Sequence, residues 1–432
     1  MADAVPAPSV ATPSAVLPNL DCIIRGLLYV YIFSLPFKRL LFIERNGFII
    51  LVVLLVLWCA VNRQHFFLRT PIDVPLLAFI AWVGFTVPFA TFPLYSSKEF
   101  AKLLQQGLMF YTVMFFFRDS VHRWRLVWML IGELALVSAY GIWQFDTKPW
   151  LGPFAPGGRE YHLIESFLSG DVALTTYLVM LAPLSAAMAL YQPERWKRVF
   201  AGGSMGLAGL CQFLTFSRAG LLAIIAEAIV LVLVTWQKRV ACWAGGVVLT
   251  LIVGAAALLI TNKLSPESLP FIHGQTKFTT YNLDARINIW FFGLKKLVEH
   301  PLVGIGYGKD NFFKVTGQES TNLSSTATTV MPSGTHNTFL DVAVGAGVPA
   351  LAALLWLLWA ILRTGFGQIR SGAKIVDRAL PVALIMVVTG MVVRNSFDHM
   401  WIGTLAVQFW VLVGLAVIPR SNPLESIGPT VV

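Results

Sequence analysis

A chain of 432 residues that is 56% hydrophobic and 12% charged falls far below the roughly 25% charged residues of a soluble domain, which excludes a water-soluble fold. The net charge of +10 does not point to nucleic acid, because the basic residues stand between apolar runs rather than in one stripe. The apolar runs recur along the whole length at about 20 residues each, enough to cross about 30 Å of hydrocarbon as a helix. They are continuous rather than alternating, which selects helices over a closed barrel.

The expected class is therefore all-α, a polytopic bundle of about 12 membrane helices, taken here in chain order. Residues 1–20 are rich in Ala, Pro, Ser and Val. They lack the basic start and apolar core of a cleavable signal and are expected to form a disordered cytoplasmic tail. Nine spans are expected within 21–261, at 21–37, 46–62, 73–92, 99–117, 125–145, 172–191, 198–215, 218–236 and 240–261. A long polar segment, 262–335, comes next. Three more spans are expected within 336–419, at 336–362, 379–396 and 400–419, and 420–432 is expected to be a short cytoplasmic tail. Cys22, Cys59, Cys211 and Cys242 lie in or beside apolar runs without metal-ligand spacing, as small apolar side chains do.

Orientation follows from Lys and Arg. With the N-terminus inside, the cytoplasmic connections carry Arg63 and Arg69, then Arg118, Arg123 and Arg125, then Arg195, Lys197 and Arg198, then Lys238 and Arg239, then Arg363, Arg370, Lys374 and Arg378. Both termini then face the cytoplasm, and the loop between spans 9 and 10 faces outward, which in a Gram-negative inner membrane is the periplasm. Within that loop, 282–300 alternates Ile287, Ile289, Trp290, Leu294, Leu297 and Val298 with charges, as an amphipathic helix does. Pro301 and the glycines at 304, 306 and 308 end it in a turn-rich stretch, and the Ser/Thr-rich 320–329 is expected to be a mobile loop.

Cations that break the positive-inside pattern are the candidate site. Lys38, Arg39, Arg45, Lys98, Lys102, Arg159, Arg218, Arg286 and Arg394 stand on the outward side near span ends. An anionic ligand such as a phosphate or diphosphate would favour them there; anchoring at lipid headgroups would as well. Arg218, in Thr-Phe-Ser-Arg-Ala-Gly, falls at the start of a span, where a helix N-terminus adds amide donors and a guanidinium offers a bidentate fork. Arg286 opens the amphipathic segment beside Asp284, and a solvated loop charge would look the same. Lys98 and Lys102 share one helical face at i,i+4. His336, in Gly-Thr-His-Asn-Thr-Phe-Leu-Asp where loop becomes helix, can take a proton from a hydroxyl near neutral pH or act as a polar residue at the helix start. His399, beside Asp398, is the second histidine candidate. No His/Glu or Cys cluster suggests a metal.

Ser217-Arg218-Ala219-Gly220, then Arg286 to Trp290, then Pro301-Leu302-Val303-Gly304-Ile305-Gly306-Tyr307-Gly308, then His336-Asn337-Thr338-Phe339-Leu340 form an ordered set. That set resembles the O-antigen ligase and polymerase superfamily of bacterial envelope glycosyltransferases, and the twelve-span pattern resembles its O-antigen ligases most. The resemblance implies a GT-C-like membrane enzyme that uses no cofactor. It implies a donor of undecaprenyl diphosphate carrying a glycan, an acceptor sugar on lipid A–core, and en bloc inverting transfer without a required metal. It further implies that Arg218 and Arg286 hold the diphosphate and that His336 stands at the acceptor hydroxyl. Lys38, Arg39, Arg45, Lys98, Lys102, Arg159 and His399 remain further candidates for phosphate contacts on donor or acceptor. An O-antigen polymerase shares these motifs. A protein oligosaccharyltransferase fits the short C-terminal tail less well. A transporter of lipid-linked sugars would want polar groups deep in the spans, where Glu133 and Glu227 are the main charges.

Overall fold

The structure is a computed structural model that describes residues 18–147, 164–215, 217–235, 278–319, 334–370 and 375–418. The expected span at 240–261, the Ser/Thr-rich 320–329, Arg159, Cys242, residues 1–17 of the expected N-terminal tail and the C-terminal tail lie outside the described residues, while residues 18–20, expected in that tail, begin a helix. Within them the regular structure is helical: α1 Pro18–Ser34, α2 Leu41–Asn62, α3 Asp73–Thr86, α4 Pro93–Phe116, α5 Ser120–Thr147, α6 Asp171–Tyr191, α7 Arg195–Leu214, α8 Arg218–Thr235, α9 Phe278–Glu299, α10 Lys309–Glu319, α11 Thr338–Arg370, α12 Ala379–Asn395 and α13 Gly403–Val417. Helices thus occupy eleven of the twelve expected positions, and six of them are long and apolar enough to cross a bilayer.

Burial separates a lipid-facing shell from a packed centre. Helix α2 exposes Ile49, Val53 and Val56, the last 65% accessible. These fall at i, i+4 and i+7, one stripe of a helix, and a stripe of that kind belongs against acyl chains rather than water. Helices α6 and α12 are buried almost throughout and pack against each other, with α7 on α6 and α8 and α11 on α12. Burial from water does not drive such pairs together in lipid; close packing and polar contacts do.

The longest helix, α11, is broken where the sequence requires it. Pro349 has no N–H for the Gly345 carbonyl, and Gly347 takes a left-handed φ of 84°, so the local i→i−4 ladder fails. The orphaned groups find partners elsewhere. Ile305 N donates to Val344 O and Gly306 N to Gly345 O, both at 2.9 Å, and Val348 N donates to Pro301 O at 2.8 Å. Trp82 Nε1 donates to Ala346 O at 3.0 Å. The run Pro301–Gly308 is therefore a plug in the break of α11, and its glycines at 304, 306 and 308 all hold positive φ. A Cβ on Gly347 would lie 1.9 Å from Leu302 O, a backbone atom that cannot step aside. Gly347→Ala is expected to destabilise the detergent-purified protein by about 2 kcal/mol or more, read as a lower Tm. Gly203→Ala, with open space around its Cβ position, should stay within about 1 kcal/mol of wild type.

Residues 278–319 of the polar segment fold onto the helices. Helix α9 appears where the amphipathic pattern predicted it and lies along α11. Ile289, Ile305, Phe312, Val315 and Val344 form a second, smaller core beneath it. Helix α10 has no clear signal in the sequence. It is fixed to the start of α4 by Asn311 Nδ2 donating to Ser96 Oγ at 2.9 Å and by the Lys314 ammonium over the Phe92 and Tyr95 rings.

Candidate active site

His336 sits just before α11 in a left-handed conformation, φ 53°, which costs a non-glycine residue about 1–3 kcal/mol. Its neighbours fix it there. Asn337 Oδ1 accepts from Phe339 N and Leu340 N at 3.0 and 3.1 Å, the capping bonds of α11. Thr335 Oγ1 donates to Asn337 O at 2.9 Å, and Thr338 Oγ1 donates to Asn395 Oδ1 at 2.7 Å. His336 Nδ1 then lies 2.9 Å from Asp398 Oδ1, and Asp398 Oδ2 accepts from the fully buried Arg394 Nη1 at 2.8 Å.

The electrostatics assign the imidazole proton. Burial by itself pushes the Asp398 carboxyl up, but the His336 hydrogen bond and the Arg394 guanidinium outweigh it and hold it below the usual carboxylate range. Asp398 is thus ionised near neutrality and can only accept, so Nδ1 of a neutral His336 carries the hydrogen and Nε2 carries the lone pair. The same shift fixes a pH dependence. A depressed folded pKa contributes stability that is present above the unfolded value, about 3.9, and is lost as pH falls through the folded one. Asp398→Asn would free the other tautomer and is expected to slow any base chemistry at His336 on the order of 10²-fold, with the membrane-inserted amount unchanged on immunoblots.

A second histidine–carboxylate pair crosses the first. His399 Nδ1 lies 2.6 Å from Asp341 Oδ2, and Asp341 Oδ1 accepts from Thr335 N at 2.9 Å. The start of α11 thus contributes one histidine and one aspartate, and the α12–α13 connection contributes the reciprocal pair. The sequence flagged His336, His399 and the Asp398 neighbour. It gave Asp341 and Arg394 no role in orienting a histidine, because partners some 60 positions apart leave no local pattern.

Arg286 and Arg218 reach this end of the bundle by separate routes. Trp290 Nε1 donates to Thr335 O at 2.9 Å, which pins α9 beside the residue preceding His336. Arg286 is one helical turn earlier on the same face and is partly exposed. Arg218 is exposed at the first turn of α8, where Ser217 Oγ accepts from Gly220 N at 3.3 Å. That turn presses on α6: a Cβ on Gly220 would lie 2.3 Å from Thr175 Cγ2. Asp171, one turn before Thr175, lies within the electrostatic reach of Arg394 and Asp398. Arg218 therefore shares the end of the bundle that holds the His336–Asp398–Arg394 chain.

The remaining cations divide. Lys38 Nζ is 2.8 Å from Glu165 Oε1, a partner 127 residues away. Lys102 Nζ is 2.6 Å from Glu99 Oε1 and lines one cleft with His399. Lys98, Arg39 and Arg45 are exposed. Of the deep carboxyls, Glu133 Oε1 accepts from the Tyr177 hydroxyl at 2.7 Å, and Glu227 is buried against Gly390. Neither is among the residues that line this cleft.

Fold and site together define a polytopic helical membrane protein with a histidine–carboxylate cluster and exposed arginines at one end. The comparisons with known proteins agree with the resemblance read from the motifs. Residues 203–355 match the family model described as O-antigen ligase, a stretch that contains Arg218, Arg286 and His336. The chain is 26% identical over 338 residues to the O-antigen ligase of Salmonella typhimurium, covering 74% of this chain and 77% of that protein. It is 22% identical over 368 residues to a protein of Rickettsia felis provisionally named a polysaccharide ligase, covering 84% of each.

Proposed function

We propose that this chain is a ligase-type glycosyltransferase that moves an O-antigen glycan en bloc from undecaprenyl diphosphate to a sugar hydroxyl of lipid A–core, in a bundle of about 12 spans. The observation that carries the reading is His336, held by ionised Asp398 so that Nε2 bears its lone pair, beside an arginine-bearing helix within the segment that matches the O-antigen ligase model. The positive-inside pattern supports both termini in the cytoplasm and the site at the periplasmic face of a Gram-negative inner membrane.

In the proposed step the acceptor oxygen attacks the anomeric carbon as the bond from that carbon to the diphosphate oxygen breaks, inverting the centre. The acceptor proton passes to His336 Nε2, and Asp398 stabilises the imidazolium. The departing diphosphate gathers negative charge, which the Arg218 and Arg286 guanidinium groups meet with bidentate hydrogen bonds. Lys38, Arg39, Arg45, Lys98 and Arg159 stand in this proposal as outer contacts to phosphate or headgroup. A lipid diphosphate is already a good leaving group, so positioning of the acceptor carries the larger share of the rate. Activity is expected to survive a chelator.

The test is made in a Gram-negative strain lacking its own ligase but supplied with matched glycan and core. Expression of this chain is expected to restore the ladder of glycan-capped lipopolysaccharide. Glycan that stays on its lipid carrier with only its length altered would favour the polymerase reading instead.

A further inference from the structure

Beside the Asp398–His399 peptide lies an open cleft lined by Glu99 and Lys102 of α4, Tyr307 of the glycine-rich plug, Asp341 of α11, and His399 and Trp401 of the α12–α13 connection. Its position fits a phosphate site, but its charges do not. Lys102 is paired to Glu99 at 2.6 Å and His399 to Asp341 at 2.6 Å. Lys309, also in the wall, brings the count to two lysines against two carboxylates. A diphosphate needs surplus positive charge and aligned donors, and two carboxylates repel it. A neutral sugar ring needs alternating donors and acceptors that fix its orientation, with an apolar or aromatic surface for its carbon face. Lys102 supplies donors, Glu99 and Asp341 supply acceptors, and Tyr307 and Trp401 supply aromatic surface.

We propose that this cleft is the subsite for an uncharged sugar ring of the acceptor, with Lys102 donating to a ring hydroxyl and His399 Nε2, whose ring donates Nδ1–H to Asp341, accepting from another. The inference rests on the ligase reading, which requires an acceptor hydroxyl near His336. The peptide bond from Asp398 to His399 joins the wall of the cleft to the carboxylate that orients that histidine. Lys102 and His399 then select the acceptor and are not contacts to the donor phosphates.

The test measures binding to the purified full-length protein in detergent. The probes are core oligosaccharide released from rough lipopolysaccharide by mild acid and then dephosphorylated, and undecaprenyl diphosphate. Lys102→Met, at an exposed position tolerant of change, and His399→Gln are each expected to weaken oligosaccharide binding about tenfold or more, with diphosphate binding kept within about twofold. A wild type that does not bind the oligosaccharide, or variants that bind it unchanged, or a loss confined to the diphosphate, would each overturn the subsite. Wild type that binds the oligosaccharide but transfers no glycan would overturn the ligase reading and leave the subsite standing. Transfer by wild type with unchanged acceptor affinity in both variants would do the reverse.

Discussion

His336→Ala is expected to lower glycan transfer by about 10³-fold or more while the protein still reaches the membrane and folds. General base catalysis is worth about 10²–10⁴-fold, and in the proposed mechanism the base also orients the attacking hydroxyl. The substitution removes a partly buried side chain whose Nδ1 bond to Asp398 is one of several that hold this junction. The Asn337 cap and the Thr338–Asn395 bond remain, so the loss should appear in turnover and not in the amount of folded protein. Arg394 continues to neutralise Asp398 at 2.8 Å, which avoids leaving a bare buried charge. The measurement is single-turnover transfer beside a thermal melt. A melt that collapses along with activity would assign His336 to structure alone.

Arg286→Ala is expected to cost on the order of 10²-fold or more in turnover, and Arg218→Ala the same, because on the proposed reading each removes a donor to the charge that develops on the leaving diphosphate. Lysine is expected to rescue only partly at either position, since an ammonium cannot form the planar two-bond fork. Because the Arg218 side chain is exposed and Arg286 is partly exposed, neither substitution should lower the melting temperature appreciably. The kinetic signature separates this role from headgroup anchoring. A contact made in the transition state lowers turnover at saturating donor, whereas a lost anchor would leave turnover intact.

Hydropathy made the helices legible. Long apolar runs leave the chain few alternatives in lipid, and helices stand at eleven of the expected positions. The amphipathic segment was also readable, because α9 shows its apolar face at helical spacing. The break in α11 was only half visible. Pro349 and Gly347 stand inside what reads as one span, 336–362, and nothing local says that Pro301–Gly308 fills a break there; the glycine run reads as a turn-rich stretch until its amides are found bonded to Val344 and Gly345. The site followed the same rule. Cations on the wrong side of the membrane stand out one at a time, so Arg218, Arg286 and the histidines could be named. Their partners could not, because Asp398 to His336, Asp341 to His399 and Glu165 to Lys38 are pairings of tertiary structure. Those pairings also changed the meaning of two candidates. Lys102 reads as a candidate phosphate contact and His399 as a second histidine candidate in the sequence, and the structure sets a carboxylate beside each.

The most direct test of the account is transfer by the purified protein in detergent, given undecaprenyl diphosphate-linked glycan and lipid A–core, with a chelator present and no ATP. The account predicts covalent glycan–lipid A–core product from wild type, and product reduced by about 10²-fold or more for folded Arg218→Ala, Arg286→Ala and His336→Ala. Product formed at wild-type rate by all three variants, or movement of the lipid-linked glycan across a proteoliposome membrane with no new glycosidic bond, would contradict it.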